Sequence, residues 1–379
     1  MSNEIELGGQ QVPQSDWEAT PERIQQVVLK VVEQLKLQNA RITALEEQQR
    51  RNSKNSSQAP SKDVIGSKEI EGFGITLSRG SINRARKEMS DSVLPAVTEA
   101  RDYALKQPVV NCDETGFSQG NQDGLNPSKR RGWLWVVVTP LVTFFTVTLS
   151  RSKAAAQQIL GEDFDGYLGS DRYSSYSWLD SRRRQVCWAH LLRDFQAIAE
   201  RSGASHEIGK ALLRRGYRLF HWWHRVRDGT LSHKLFLEAV VHLRVAVMAR
   251  LESAANLEIA PKKKTPLAKT VRTCAKILEL EVALWTFVYV LGVEPTNNGS
   301  EQALRPAVIW QYTSFGSQSK AGSEFVERML MVSATLKAQN RSVLEFLTQS
   351  CQAARLGIEG SSLIPHPQPA PPAQTLILL

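Results

Sequence analysis

Three acidic side chains stand where carboxylates could act together. Asp113 follows the short apolar run PVVNC, Asp171 follows the run DGYLGS, and Glu301 lies in the first turn of a predicted helix. They are separated by 171 − 113 = 58 and 301 − 171 = 130 residues. Ligand sites of mixed sheets lie at the carboxyl ends of strands, so acids at strand ends are typical of such a site.

A trio of this kind suits the chemistry of phosphodiesters. Cleavage and strand transfer need an activated water or 3′-hydroxyl and neutralisation of charge on the leaving oxygen, which two divalent ions about 3.5–4 Å apart supply. Mg²⁺ prefers carboxylate oxygens and water, and carboxylates that cluster without a cation repel one another. The competing interpretation, in which the three acids are unrelated turn and cap residues, stays open at this level.

Other ligand-type residues are less suited to a metal. Cys187 and His190 form one CxxH pair, but zinc takes about four ligands and no second pair is near in sequence, which favours a packing role. His221 and His224 lie one helical turn apart beside two tryptophans, which indicates a packed amphipathic helix.

The elements that must hold the acids begin with a hydrophobic stretch. Residues 132–149 are 18 residues without a charge, the lower limit for a membrane span. Nine of the 18 are Val or Thr and Pro140 lies in the middle, a pattern that favours a β-hairpin over a helix. A single-pass membrane protein is the minor alternative.

The rest of the chain predicts an α/β fold. A helix over 152–163, a strand that ends at Asp171, and a strand over 182–190 leading into a helix follow the hairpin. Residues 195–292 have an almost purely helical pattern. This helical block therefore falls between the second and third acids.

The N-terminal region has a heptad pattern. Over residues 22–50, six apolar residues recur at alternating steps of four and three, which predicts a coiled coil and a homo-oligomer. The alternative is an amphipathic helix packed on its own domain. A polar linker follows. Gly80 and Ser81 then predict a turn and cap before a basic helix, either the second half of a helix-turn-helix or an ordinary surface helix.

Basic charge is concentrated in one part of the chain. The sequence has 47 Lys+Arg and 38 Asp+Glu, a net charge of +9, which favours an anionic partner. Residues 181–264 hold 17 basic and 7 acidic residues, so 17 − 7 = +10. The four cysteines form no CxxC pair, which excludes a zinc ribbon or disulfide scaffold and favours a reduced, intracellular compartment. The polar N-terminus predicts no signal peptide.

Several motifs, in order and spacing, resemble one known family. The chain resembles the transposases of bacterial insertion-sequence family sixty-six, which are DDE transposases with a ribonuclease-H-like core, over about residues 74–350. The matching segments are CDETGF (112–117), SDRYSSY (170–176), CWAHLLRDF (187–195), PTNNGSEQALRP (295–306), SFGSQSKAG (314–322) and TLKAQNRSVLEFL (335–347).

The resemblance implies a function. Its catalytic acids correspond to Asp113, Asp171 and Glu301, which would hold two Mg²⁺ ions, with Mn²⁺ as a substitute, for cutting and joining at element ends. It implies a five-stranded mixed sheet with an all-α insertion. The expected partners are DNA of the element ends and target, and accessory proteins of the same element, in the bacterial cytoplasm at the nucleoid and without a membrane.

Together these patterns predict an order of regions along the chain. They are an N-terminal region with the coiled-coil helix (1–50), a flexible linker (51–73), a helical remnant of a DNA-binding region (74–106), a catalytic core in two parts (107–194 and 293–355) around a helical insertion (195–292), and a disordered Pro-rich tail (356–379).

Basic side chains are the candidates for DNA contact, with ordinary solvated arginines and lysines as the alternative. Phosphate contacts position nucleic acid, and a basic wall of the insertion would bind phosphates beside the acids. The candidates are Arg193, Arg214, Arg215, Lys262, Lys263, Lys264 and Arg305.

The chain departs from the family pattern in ways that leave the activity open. The Cys-rich zinc-binding segment is missing, Gln302 replaces an Arg after the third acid, and Arg172 replaces a Gly after the second. Gln311 and Tyr312 stand where an Arg-Lys pair is expected. A catalytically defective DNA-binding remnant is therefore the alternative to an active enzyme, and an oligomerisation protein built on the coiled coil is a third hypothesis.

Overall fold

The structure, a computed structural model, divides the chain into two units, Met1–Ser78 and Arg79–Leu379. The described residues are 4–7, 10–26, 28–30, 32–33, 37, 68–70, 75–260 and 262–365.

The first unit contains two small hairpins and short helical segments. Its elements are β1 (Glu4–Leu7), β2 (Gln10–Pro13), α1 (Gln14–Glu18), β3 (Lys68–Ile70) and β4 (Ile75–Leu77). Residues 22–26, 28–30, 32–33 and 37 are helical, which agrees with a helix in this part of the heptad pattern. Residues 38–50 and most of the linker lie outside the described residues, and the coiled coil and the homo-oligomer stay predictions.

The second unit begins with two helices, α2 (Arg79–Ser92) and α3 (Leu94–Leu105). Helix α2 starts at Arg79, so the predicted turn and cap at Gly80 and Ser81 are wrong, because both residues lie in its first turn. The break between α2 and α3 coincides with Pro95 at the start of α3, where a missing backbone N–H costs nothing.

A five-stranded mixed sheet forms the centre of this unit, as the family resemblance implies. Its strand order is β7-β6-β5-β8-β9, with antiparallel pairing from β7 to β5 and parallel pairing from β5 to β9. The strands are β5 (Val109–Phe117), β6 (Gly132–Val138), β7 (Thr143–Thr148), β8 (Tyr167–Ser170) and β9 (Arg184–Val186). The uncharged stretch 132–149 is thus a hairpin, and among the described residues no helix has the length and apolar character to cross a membrane.

Helices fill the rest of the unit. They are α4 (Lys153–Leu160), α5 (Trp188–Ala199), α6 (Ala204–Arg227), α7 (His233–Ala255), α8 (Pro266–Leu278), α9 (Thr286–Tyr289), α10 (Asn298–Ser314), α11 (Lys320–Ala338) and α12 (Val343–Leu356), with 3₁₀ turns at Ser174–Tyr176, Ser181–Arg183 and Val282–Leu284. The helical pattern predicted for residues 195–292 is confirmed by α5 to α9.

Two hydrophobic cores stabilise these elements. One lies between the sheet and helices α3, α4, α11 and α12, around the fully buried Trp135 and Phe144. The other joins α5 to α9 around Trp188 and Trp285, whose rings meet edge-to-face with centroids 5.1 Å apart. The helical block therefore has a core of its own.

The chain after α12 packs against the first core. The sequence predicts disorder from residue 356, but Leu363 is fully buried. The Leu363 carbonyl accepts a hydrogen bond of 2.8 Å from Gln339 Nε2. Residues 366–379 lie outside the described residues.

Candidate active site

Strands β5 and β8 bring Asp113 and Asp171 to matching positions. The two strands pair in parallel with Asn111 opposite Gly169, and each acid lies two residues beyond this pair. Adjacent strands lie about 4.8 Å apart, and residues two positions apart share a face. The two carboxyl groups therefore leave neighbouring strands on the same side of the sheet.

Asp113 lies inside its strand and not after it, which corrects the sequence-based placement. Strand β5 continues to Phe117 because its other neighbour, β6, pairs with it from Asn111 to Phe117 and holds Asp113 opposite Val136. Strand β8 stops at Ser170. The edge of β5 toward β8 is therefore unpaired at Asp113, and α10 packs against β5.

Asp171 begins the loop after β8, as the sequence predicts. Its Oδ1 accepts a hydrogen bond of 2.8 Å from the backbone N–H of Tyr173. This hydrogen bond closes a turn between the Asp171 side chain and the backbone two residues later, and it fixes the orientation of the carboxylate.

Glu301 is positioned by the junction of α10 with α5. The fully buried Asn297 precedes α10, and its backbone N–H donates to Cys187 Sγ at 3.5 Å. The N–H of Trp188 donates to the Pro295 carbonyl at 2.9 Å. Cys187 thus acts in packing, in agreement with the sequence-based preference over a zinc ligand.

The Glu301 carboxylate has two partners on α5. Its Oε1 accepts a hydrogen bond of 2.8 Å from Arg193 and lies 3.4 Å from His190 Nε2. Arg193, predicted as a DNA contact, therefore pairs with the third acid. Arg305 is exposed one turn after Glu301 on α10.

The electrostatics show that the three acids share one locality, which we call the acid site (Asp113, Asp171 and Glu301). The pKa of Asp113 is raised to about 7, mainly by burial and to a smaller extent by the charges of Glu114, Asp171 and Glu301, while the hydrogen bond from the Glu114 N–H opposes the rise. Charged Asp171 and Glu301 therefore lie within electrostatic reach of Asp113. Clustered negative charge of this kind favours binding of a cation.

The donor atoms at the acid site suit a hard cation such as Mg²⁺, because they are carboxylate oxygens. Among the described residues, no three His, Cys, Asp or Glu side chains converge closely enough to form a ready metal site. The Glu301 carboxylate forms an ion pair with Arg193 on α5.

The opposite face of β5 carries an acid that the sequence analysis missed. Glu114 is buried, its Oε1 accepts a 2.7 Å hydrogen bond from Arg151 Nε, and its other oxygen accepts one from the Tyr176 hydroxyl. The Arg151 guanidinium lies 3.7 Å from the centre of the Tyr173 ring. We call Glu114, Arg151 and Tyr176 the Glu114 cluster. Because successive residues of a strand face opposite sides of the sheet, Glu114 lies on the other side of β5 from Asp113. This alternation is the signal in the sequence that could have found Glu114.

Several buried polar atoms near the acid site have no hydrogen-bond partner in the described part of the chain. They are His190 Nδ1, the Ser300 hydroxyl and both polar side-chain atoms of Asn297. These three residues lie at the starts of α5 and α10, the elements that carry Arg193 and Glu301. The junction is therefore polar and incompletely satisfied, which distinguishes it from the two apolar cores.

The other basic candidates lie in the helical block. Arg214 and Arg215 line a groove between α6 and α7. Lys262, Lys263 and Lys264 are exposed in the connection between α7 and α8. Arg172, the departure after the second acid, forms an ion pair with Asp194.

Comparison with known proteins agrees with the resemblance seen in the sequence. A family model described as "Transposase IS66 family" matches residues 66–324, which include all three acids. No curated protein and no solved structure matches the chain.

Proposed function

Because the chain belongs to the IS66 family of transposases, whose members act on DNA in transposition, we propose that it is a DDE transposase that cuts DNA at the ends of its element and joins them to target DNA. The observation that carries the proposal is the acid site. Two strands and one helix, distant in sequence, bring Asp171 and Glu301 within electrostatic reach of Asp113.

We propose a ribonuclease-H-like core for this activity. The support is a sheet whose first three strands are antiparallel and whose last two are parallel to the central β5. The catalytic core would be split into 107–194 and 293–355 by the insertion at 195–292. The separate hydrophobic core of the helical block supports this division.

Asp113, Asp171 and Glu301 would hold two Mg²⁺ ions, for which Mn²⁺ can substitute. When bound, these ions activate the attacking water or 3′-hydroxyl and neutralise charge on the leaving oxygen. Asp113 contributes a carboxylate that is partly shielded from water, where electrostatic interactions are stronger. Asp171 contributes a carboxylate whose orientation is fixed by the Tyr173 N–H.

Arg193 and His190 would act on Glu301 and on the DNA. In the structure the Arg193 guanidinium holds the Glu301 carboxylate. A guanidinium donates equally well to phosphate oxygens. We propose that Arg193 transfers its hydrogen bonds to a phosphate when DNA enters, which frees Glu301 for the cation, while the exposed Arg305 contacts the same strand.

The proposed partners follow from this activity and from the basic charge of the insertion. They are the DNA of the element ends and target, a second copy of the chain bound through residues 22–50, and accessory proteins of the same element. A cytoplasmic protein associated with the nucleoid would have access to all of them.

The remnant hypothesis has one specific observation in its favour. The third acid is paired with Arg193, and among the described residues no group of side chains forms a ready metal site. A protein in this state would bind DNA without cutting it.

A cleavage assay on pre-nicked element ends separates the two. The active enzyme predicts cleavage that requires Mg²⁺ or Mn²⁺ and is lost in Asp113→Ala. Binding of the same DNA without cleavage in either metal would support the remnant. An oligomerisation protein predicts no binding even at low salt.

A further inference from the structure

A groove between α6 and α7 collects arginines that form no ion pair with any acid among the described residues. It encloses about 330 Å³ and is lined by Arg214, Arg215 and Arg218 from α6, with Trp222 and His242 and three apolar residues. No acidic residue lines it. Like charges this close destabilise the fold unless an anion is present.

Two observations show that the arginines interact with one another. Burial lowers the pKa of Arg215, and the charges of Arg214, Arg250 and Arg218 lower it further. Arg250, which reaches the same cluster from α7, has a buried Nε with no hydrogen-bond partner in the described part of the chain. Arg215 also donates to the Ala211 carbonyl at 2.8 Å, and Arg214 and Arg218 are exposed. The mutual repulsion of the arginines and the unpaired Nε of Arg250 are therefore what indicate a missing anionic ligand.

The shape of the groove indicates more than a single phosphate. Arg214 and Trp222 are eight residues apart on α6, which corresponds to about 12 Å at 1.5 Å per residue. The Trp222 ring, which is only partly buried, lies at one end of the basic row. Arginines followed by an aromatic ring are the combination that binds the backbone and stacks the bases of an unpaired strand.

We propose that this groove binds an unpaired DNA strand, with Arg214, Arg215 and Arg218 on its phosphates and Trp222 stacked on a base. The inference deepens the proposed function, since a strand-transferring enzyme handles unpaired ends, and it rests on that function for the identity of the ligand. It assigns the DNA contact to the groove and not to the exposed lysines of the α7–α8 connection.

The test is the affinity of the full chain for a fluorescein-labelled 12-nucleotide oligo-dT, measured by anisotropy in EDTA over a range of salt concentrations. Arg215→Gln/Arg218→Gln should weaken binding about tenfold or more. It should also reduce the magnitude of the log–log salt slope by about 1.4, because each lost phosphate contact contributes about 0.7 on single strands. The single variant Arg214→Gln alters an exposed side chain and should weaken binding in the same direction without affecting the fold.

The matched control is Arg227→Gln/Lys234→Gln, which removes the same charge from exposed positions of α6 and α7 outside the groove. It should leave the affinity within about twofold and the salt slope unchanged. Equal losses of affinity in the control and groove variants would overturn the proposal, because the loss would then depend only on the net charge of the protein.

The stacking part has its own readout. Trp222→Leu should reduce the affinity for oligo-dT to that for an abasic strand of equal length, a loss of about tenfold. If the ratio of the affinities for oligo-dT and for the abasic strand is the same in Trp222→Leu as in the wild type, the proposed stacking is overturned. A duplex of equal length that competes as well as the single strand would also overturn it.

These outcomes are independent of cleavage. If the groove variants bind oligo-dT more weakly and the protein cuts no DNA in any metal, the binding role of the groove is supported and the proposed function is contradicted. If the protein cuts its element ends but the groove variants bind like the control, the proposed function is supported and the binding role of the groove is contradicted.

Discussion

Two neighbouring residues of β5 place their carboxylates in opposite situations. Glu114 faces one side of the sheet, where Arg151 and Tyr176 hold its two oxygens. Asp113 faces the other side, where its carboxylate accepts a hydrogen bond from the Glu114 N–H, and where burial and the charges of Glu114, Asp171 and Glu301 raise its pKa. The chain thus neutralises one buried charge with its own cation and leaves the other without one.

The difference teaches how structural and functional acids can be told apart. A buried carboxylate with a dedicated guanidinium completes the fold and has no need of an outside ligand. A partly buried carboxylate surrounded by like charge makes the fold less stable until a cation arrives. The acid site therefore depends on something that the chain does not supply.

The largest expected effect comes from breaking the Glu114 cluster. Arg151→Met should lower the free energy of unfolding by about 3–5 kcal/mol, because it leaves Glu114 as an uncompensated buried charge. Urea denaturation followed by circular dichroism measures this loss.

A matched control for that variant is Arg182→Met. Arg182 pairs with Asp180, but both side chains are exposed, so the loss should be much smaller than that in Arg151→Met. Similar losses in Arg151→Met and Arg182→Met would contradict the structural role of the Glu114 cluster.

A smaller effect, of opposite sign, is expected on the Asp113 side. In EDTA at pH 8, Asp113→Asn should raise the free energy of unfolding by about 2 kcal/mol, because it removes a charge that burial and neighbouring acids oppose. Glu114→Gln should raise it less, because burial raises the pKa of Glu114 as well but the hydrogen bonds from Tyr176 and Arg151 oppose that rise. Thermal unfolding of the two variants side by side tests the contrast, and a loss of stability in Asp113→Asn would break it.

The smallest effect concerns an intermediate case, Glu327 on α11. Its Oε1 accepts a 2.7 Å hydrogen bond from the N–H of Val147 on the edge strand β7, and burial raises its pKa to about 7. The folded state therefore binds a proton more readily than the unfolded state. The stabilisation that comes from protonation of Glu327 in the folded state is present at pH 4 and is lost as the pH rises from about 4.5 to 7.

Replacing Glu327 removes this pH dependence. Glu327→Gln keeps an acceptor for the Val147 N–H and should stabilise the protein by about 1 kcal/mol at pH 8, with no gain at pH 4. Denaturant midpoints at the two pH values measure it. A gain of equal size at both values would show that the carboxylate does not titrate with folding.

Much of the fold could be predicted from local patterns. Val and Thr on both sides of Pro140 indicated the β6–β7 hairpin, and the periodicity of the helical block indicated its helices. The position of Asp113 could not be read in this way. Whether a strand ends at an acid depends on its neighbours, and β6 extends β5 for four residues beyond Asp113.

The acids of the site could be named from their local context and from the resemblance, but their partners could not. Arg151 is 37 residues from Glu114, and Arg193 is 108 residues from Glu301. Such pairs depend on how the helices pack on the sheet, which no local pattern determines. The arginine groove has the same origin, since Arg250 and Arg215 meet only because α7 packs on α6.

The most direct test of the central claim is the Mg²⁺-dependent cleavage of pre-nicked element ends by three proteins, with rates corrected for the folded fraction. The wild type and Glu327→Gln, which neutralises a carboxylate outside the acid site, should cut at rates within about twofold of each other. Asp113→Asn should cut at least about 1,000-fold more slowly while it binds the same DNA. Cleavage by Asp113→Asn at the wild-type rate would contradict the account.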